Sequence, residues 1–81
     1  MIEIVQRRIV EIARQLRLDA NDDGEVTRTD VISAINDVAG FSPITVGRYV
    51  TYLTEQGIIK MSREHNGFFV VKGGVKDERK N

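Results

Sequence analysis

Twelve residues, Asp19-Ala20-Asn21-Asp22-Asp23-Gly24-Glu25-Val26-Thr27-Arg28-Thr29-Asp30, hold the densest run of oxygen ligands in the chain. Asp19, Asn21, Asp23 and Asp30 stand where a calcium-binding loop places side-chain oxygens, with Gly24 at its sharp turn and Val26 at its aliphatic position. The same residues also read as an acidic surface turn, with Asp19 or Asp23 capping local amides and Asp30 serving a helix start. Other chemistries find less support. Cysteine is absent, which excludes disulfides and thiolate metal sites, and His65 is the only histidine, which excludes a multi-histidine centre. Ser33, Ser42 and Ser62 have only His65 as a base to call on, and Gly73-Gly74 opens no helix that would cradle a phosphate. The expectation is a chain that is not an enzyme and needs no cofactor, with calcium at Asp19, Asn21, Asp23 and Asp30 as its cation candidate.

The elements that must position these residues follow from periodicity. At 81 residues, 41% hydrophobic and 30% charged, the chain has the size and composition of one globular domain. Ile2, Val5, Ile9, Ile12 with Ala13, and Leu16 recur at helical spacing, which predicts a helix from Ile2 to Leu18 with Arg7, Arg8, Glu11 and Arg14 facing water. A second helix should begin at Thr27, where Thr27 and Asp30 have capping-box spacing, and end at Gly40 in the left-handed conformation. Val31, Ile32, Ala34, Ile35 and Val38 supply its buried stripe. A third begins with Ser42 as N-cap and Pro43, the only proline, in the first turn; Val46, Tyr49 or Val50, and Leu53 face inward and Gly57 closes it. Residues 58–63 and 68–72 then read as strands joined through Asn66-Gly67, a hairpin signal because both residues accept positive φ. Glu25-Val26 can add a short strand between the first two helices.

The run Ser42-Pro43-Ile44-Thr45-Val46-Gly47-Arg48-Tyr49-Val50-Thr51-Tyr52-Leu53-Thr54-Glu55-Gln56-Gly57-Ile58-Ile59 resembles the recognition helix of winged helix-turn-helix proteins, and the hairpin after it looks like their wing. The resemblance spans nearly the whole chain in element order and identifies a very large superfamily. It implies an α+β fold, a three-helix winged helix-turn-helix with a C-terminal β-hairpin wing over residues 1–72, followed by a flexible charged tail over 73–81. It also implies sequence-specific binding of double-stranded DNA by a small transcriptional regulator, with helix 42–56 in the major groove and hairpin 58–72 on the backbone. Its alternative is a winged-helix module for protein–protein contact in a replication or transcription assembly. Residues 19–30 resemble an EF-hand loop, particularly the dockerin form that ends in Asp. Dockerins carry that loop twice, and residues 41–81 do not repeat it.

On a helix capped at Ser42, the outward positions are Ile44, Thr45, Arg48, Thr51 and Tyr52. Arg48 suits a bidentate contact with guanine, and Thr45 or Thr51 a phosphate or thymine methyl. On the wing, Lys60, Arg63, His65 and Asn66 are the candidates for backbone or minor-groove contact. The charge balance is twelve against twelve, with a pI near 6.6, which is unlike a wholesale phosphate binder. The halves differ, however. Residues 1–40 carry five arginines against eight acids, and residues 41–81 carry seven bases against four acids. The five acids within 19–30 should therefore point away from DNA. No apolar run approaches the roughly 20 residues of a membrane span, and no export signal opens the chain, so the expected compartment is the cytoplasm. The partner expected is double-stranded DNA, with a protein partner or homodimer as the other option.

Overall fold

The computed structural model describes residues 2–73; the charged tail expected over 73–81 lies, from residue 74 onward, outside the described residues. Helix α1 (Ile2–Asp19) takes its long axis from the apolar stripe read above. Ile9, Ile12, Ala13 and Leu16 are buried, Val5 packs partly against them, and Arg7, Arg8 and Arg14 stay in water. Arg14 pairs one turn back with Glu11 on the exposed side.

The acidic segment then turns on Asn21. Its Oδ1 accepts the backbone N–H of Asp23 at 2.9 Å and of Glu25 at 3.0 Å, an arrangement in which the side chain replaces backbone partners. Gly24, buried with φ 76°, supplies the left-handed residue this turn needs. The chain leaves it as strand β1 (Glu25–Thr27) and enters helix α2 (Arg28–Ala39) through a complete capping box. The Asp30 amide donates to Thr27 Oγ1 and the Thr27 amide to Asp30 Oδ2, each at 3.0 Å. Gly40 ends the helix at φ 124° and ψ 178°, positive in φ but extended in ψ rather than left-handed helical.

Helix α3 (Pro43–Glu55) starts without the expected side-chain cap: Ser42 is the N-cap residue, but its hydroxyl makes no cap hydrogen bond. Its carbonyl accepts the Val46 N–H at 2.9 Å, and the Pro43 ring presets the first helical φ, so the start does not depend on the hydroxyl. The far end is a Schellman closure. Ile58 N–H donates to the Leu53 carbonyl (2.9 Å) and Gly57 N–H to that of Thr54 (3.0 Å), with Gly57 at φ 74°.

Strands β2 (Ile59–Met61) and β3 (Phe68–Val71) form the C-terminal hairpin and are shorter than the sequence reading. The two-residue turn is also corrected. Gly67 alone has positive φ (82°), Asn66 does not, and the Phe68 N–H donates to the His65 carbonyl at 3.2 Å. That combination is a type II turn at the tip of a wider loop. The sheet is antiparallel in the order β1-β3-β2, so the short strand expected at Glu25-Val26 exists and pairs with the last strand. Three helices and a terminal hairpin make an α+β fold compatible with the winged-helix expectation.

The core lies between the helices and one sheet face. Ile12, Leu16, Ile35 and Leu53 meet Val26, Ile59 and Val71, all nearly or fully inaccessible. Tyr49 joins them, and half-buried Tyr52 meets its ring edge-on at 5.4 Å, which places both rings in packing. No helix among the described residues is long and apolar enough to cross a membrane. Thr27→Ala should cost about 1 kcal/mol of stability by removing a satisfied cap; urea unfolding should show a lower midpoint with an unchanged slope.

Candidate nucleic-acid interface

Helix α3 buries Tyr49 and Leu53 and leaves its opposite side open. Ile44, Arg48 and Thr51 follow one another at four- and three-residue spacing, so they share that open face, and all three are exposed. Arg48 has no carboxylate partner among the described residues. Glu55 extends the same face at its far end. Thr51 Oγ1 donates to the Gly47 carbonyl at 3.1 Å, so its hydroxyl hydrogen is used inside the helix and its lone pairs face outward. Thr45 and Tyr52, seven residues apart, lie on a flank and are half-buried rather than outward. Ser42 is exposed beside the first turn, with its hydroxyl unused in capping.

The wing candidates separate in space. In β2, Ile59 is buried and Lys60, the next residue, faces the other side of the sheet. There it pairs with Val70, which also stands opposite Glu25. Lys60 is thus on the sheet face turned away from the helices. Arg63 and Asn66 are exposed in the hairpin loop. Met61 and Phe69 are register partners on the helix side of the sheet; Met61 is 72% exposed. Met61 and Phe41 (79% exposed) are surface residues that sequence reasoning passed over: the facing of Met61 becomes legible only with its strand partner known, and Phe41 lies in the turn between α2 and α3, outside any periodic pattern.

His65 is committed elsewhere. Glu25 is 5% exposed, and both its oxygens are met by the hairpin loop: Ser62 Oγ donates to Oε2 at 2.7 Å, and His65 Nδ1 lies 2.8 Å from Oε1. Ser62 Oγ also accepts the backbone N–H groups of Glu64 (3.2 Å) and His65 (3.1 Å), which shapes the loop. Ligand atoms of Asp23, Glu25 and His65 lie within 4.8 Å of one another, the one such acidic–histidine group among the described residues. A divalent cation would suit that donor set, but the bonds from Ser62 and His65 already account for Glu25. The calcium spacing read in the sequence resolves differently: Asn21 is spent on the turn and Asp30 on the cap. Asp23 and Glu25 share a cleft of about 400 Å³ with Lys60 and Arg63, so part of the acidic loop borders the wing.

The hydrogen bond to the Glu25 carboxylate, and then its charge, raise the His65 pKa above the ordinary histidine value, with smaller help from Asp23 and Glu64. A raised folded-state pKa means the protonated imidazole stabilises the fold. That contribution is full below the unfolded value of about 6.5 and is lost as pH rises through the folded one. The melting temperature should therefore fall as pH is raised from near 6 into the alkaline range, and His65→Ala should flatten that part of the profile. No protein-family model matches the chain, and comparisons with curated proteins and with solved structures return no match.

Proposed function

We propose that this chain is a winged-helix protein that binds double-stranded DNA, with α3 in the major groove and the β2–β3 hairpin against the backbone, acting as a small transcriptional regulator. The observation that carries this reading is the open face of α3. Ile44, Arg48 and Thr51 project from a helix that is otherwise anchored in the core by Tyr49 and Leu53. An α-helix held this way fits a major groove about 12 Å wide, and an arginine without an internal partner is the side chain suited to guanine O6 and N7. Exposed Arg63 and Asn66, at the hairpin loop, are the backbone candidates; Lys60 faces the other side of the sheet and His65 is held by Glu25. No group in this reading performs catalysis.

A second reading, a winged-helix module that binds another protein, draws on an overlapping set of residues. Phe41, Ile44 and Met61 are large apolar side chains at 79%, 69% and 72% exposure, and all three adjoin α3 or the wing. Selection of binding sites from random duplex DNA at low salt separates the two readings. Recovery of a preferred site with a negative salt slope supports DNA binding, and no retention at roughly 50 mM salt supports the protein module. On a selected site, Arg48→Ala should weaken binding by about 1–3 kcal/mol and relax preference at one base position. Arg63→Ala should instead weaken all sequences alike and lower the salt slope by about one. An Arg48→Ala protein that binds its best site unchanged removes α3 as the reading element.

A further inference from the structure

We propose that the Asn66-Gly67 pair at the tip of the β2–β3 hairpin is a site of spontaneous deamidation, which turns the Asn66 amide into a carboxylate and so changes the charge of the hairpin loop. The described residues include three asparagines, and their settings differ. Asn21 uses its Oδ1 to hold the backbone amides of Asp23 and Glu25, and Asp22 follows it. Asn36 is half-buried inside α2, and the bulkier Asp37 follows it on fixed helical backbone. Asn66 is exposed and followed by glycine, and neither its side chain nor the Gly67 N–H has a hydrogen-bond partner among the described residues.

Those two free groups are the reactants. The Gly67 nitrogen bonds to Asn66 Cγ, the Cγ–Nδ2 bond breaks, and the hydrogen from the Gly67 amide leaves with Nδ2 as ammonia. The product is a five-membered succinimide. Water opens that ring at either carbonyl, giving aspartate or isoaspartate. The sum is one amide and one water converted to one acid and one ammonia, with nothing oxidised or reduced.

The loop confines the motion this needs to its tip. Before it, Ser62 Oγ pins the amides of Glu64 and His65; after it, the Ser62 N–H donates to the Phe68 carbonyl at 2.9 Å. Between these anchors one bond closes the turn, from the Phe68 N–H to the His65 carbonyl at 3.2 Å. A type II turn holds ψ of its second residue near roughly +120°, which keeps the Gly67 nitrogen away from Cγ. Rotation of Asn66 into reach therefore breaks that single bond and no other. Gly67 resists the rotation least, since a Cβ there would meet nothing within 4 Å and glycine itself is free on both sides of φ.

The new charge would stand in the same exposed loop as Arg63. If the hairpin lies on DNA phosphates, a carboxylate there repels them whatever the sequence. That consequence rests on the DNA reading; the chemistry at Asn66 does not.

The test is incubation of the folded full chain at mildly alkaline pH, followed by tryptic mapping against an unincubated sample. The peptide Glu64–Lys72 should gain the mass of an amide-to-acid exchange and split chromatographically into two products of equal mass. Peptides carrying Asn21 and Asn36 should change far more slowly. Gly67→Ala should slow conversion on the order of tenfold, and a synthetic peptide of the same substitution shows whether the slowing survives without the fold. Conversion at Asn66 no faster than at Asn21, or equal rates for Gly67→Ala and the parent in both chain and peptide, would overturn the proposal. On a selected DNA site, Asn66→Asp should weaken binding several-fold across sequences and Asn66→Gln should not. Equal binding by the two variants overturns the consequence for the wing. A chain that converts at Asn66 and retains no DNA leaves the modification site standing and fails the DNA reading alone.

Discussion

One buried carboxylate organises the second half of this molecule. Glu25 lies at the start of β1, nearly inaccessible, and a charge so placed must be met by donors. Both donors, Ser62 and His65, come from the loop that joins β2 to β3. The conformation of that loop is thus set by the need to satisfy a residue from before α2. The β1–β3 ladder makes the same tie through the backbone, pairing Glu25 with Val70, Val26 with Phe69 and Thr27 with Phe68. Val26 is then sealed into the core beside Val71, and the hairpin is an integral wall rather than an appendage.

The features legible in the sequence are those whose causes lie within a few residues. The capping box at Thr27 and Asp30 needs only its own first turn, and it forms as read. The helical stripes of α1 and α2 likewise place Ile9, Ile12, Leu16, Val31 and Ile35 in the core. Readings that depended on a partner elsewhere fared differently. The serine before Pro43 looked like a cap, but the proline made its hydroxyl dispensable. Asn66 looked like half of a two-residue turn, yet the bonds of Ser62 to Glu25 and to the following amides widen the loop and leave Gly67 alone at positive φ. The attachment of His65 to Glu25 spans 40 positions, and no local pattern announces it. Among the candidate interface residues, Ile44, Arg48 and Thr51 were legible as one face, whereas the side occupied by Lys60 required the strand register.

Charge tells a similar story. Along the chain, acids gather before residue 40 and bases after it. In space the separation is incomplete, because Asp23 and Glu25 border the cleft that holds Lys60 and Arg63. The open face of α3 is itself nearly balanced, with Arg48 against Glu55. A nearly neutral surface of this kind exerts little long-range attraction on a polyanion.

The sheet order has one more consequence. With β3 in the middle, the outer strands β1 and β2 have three residues each. β1 passes directly into α2, and β2 carries Lys60 at its centre. Such edges are too short to template the addition of a strand from another molecule, and a lysine on one of them discourages it further. This fold therefore closes off cross-chain ladder formation, the route by which small sheets most readily aggregate or swap segments. Any assembly built on the described residues would draw on side chains, those of helices, loops and exposed strand positions such as Met61, rather than on ladder pairing along these edges.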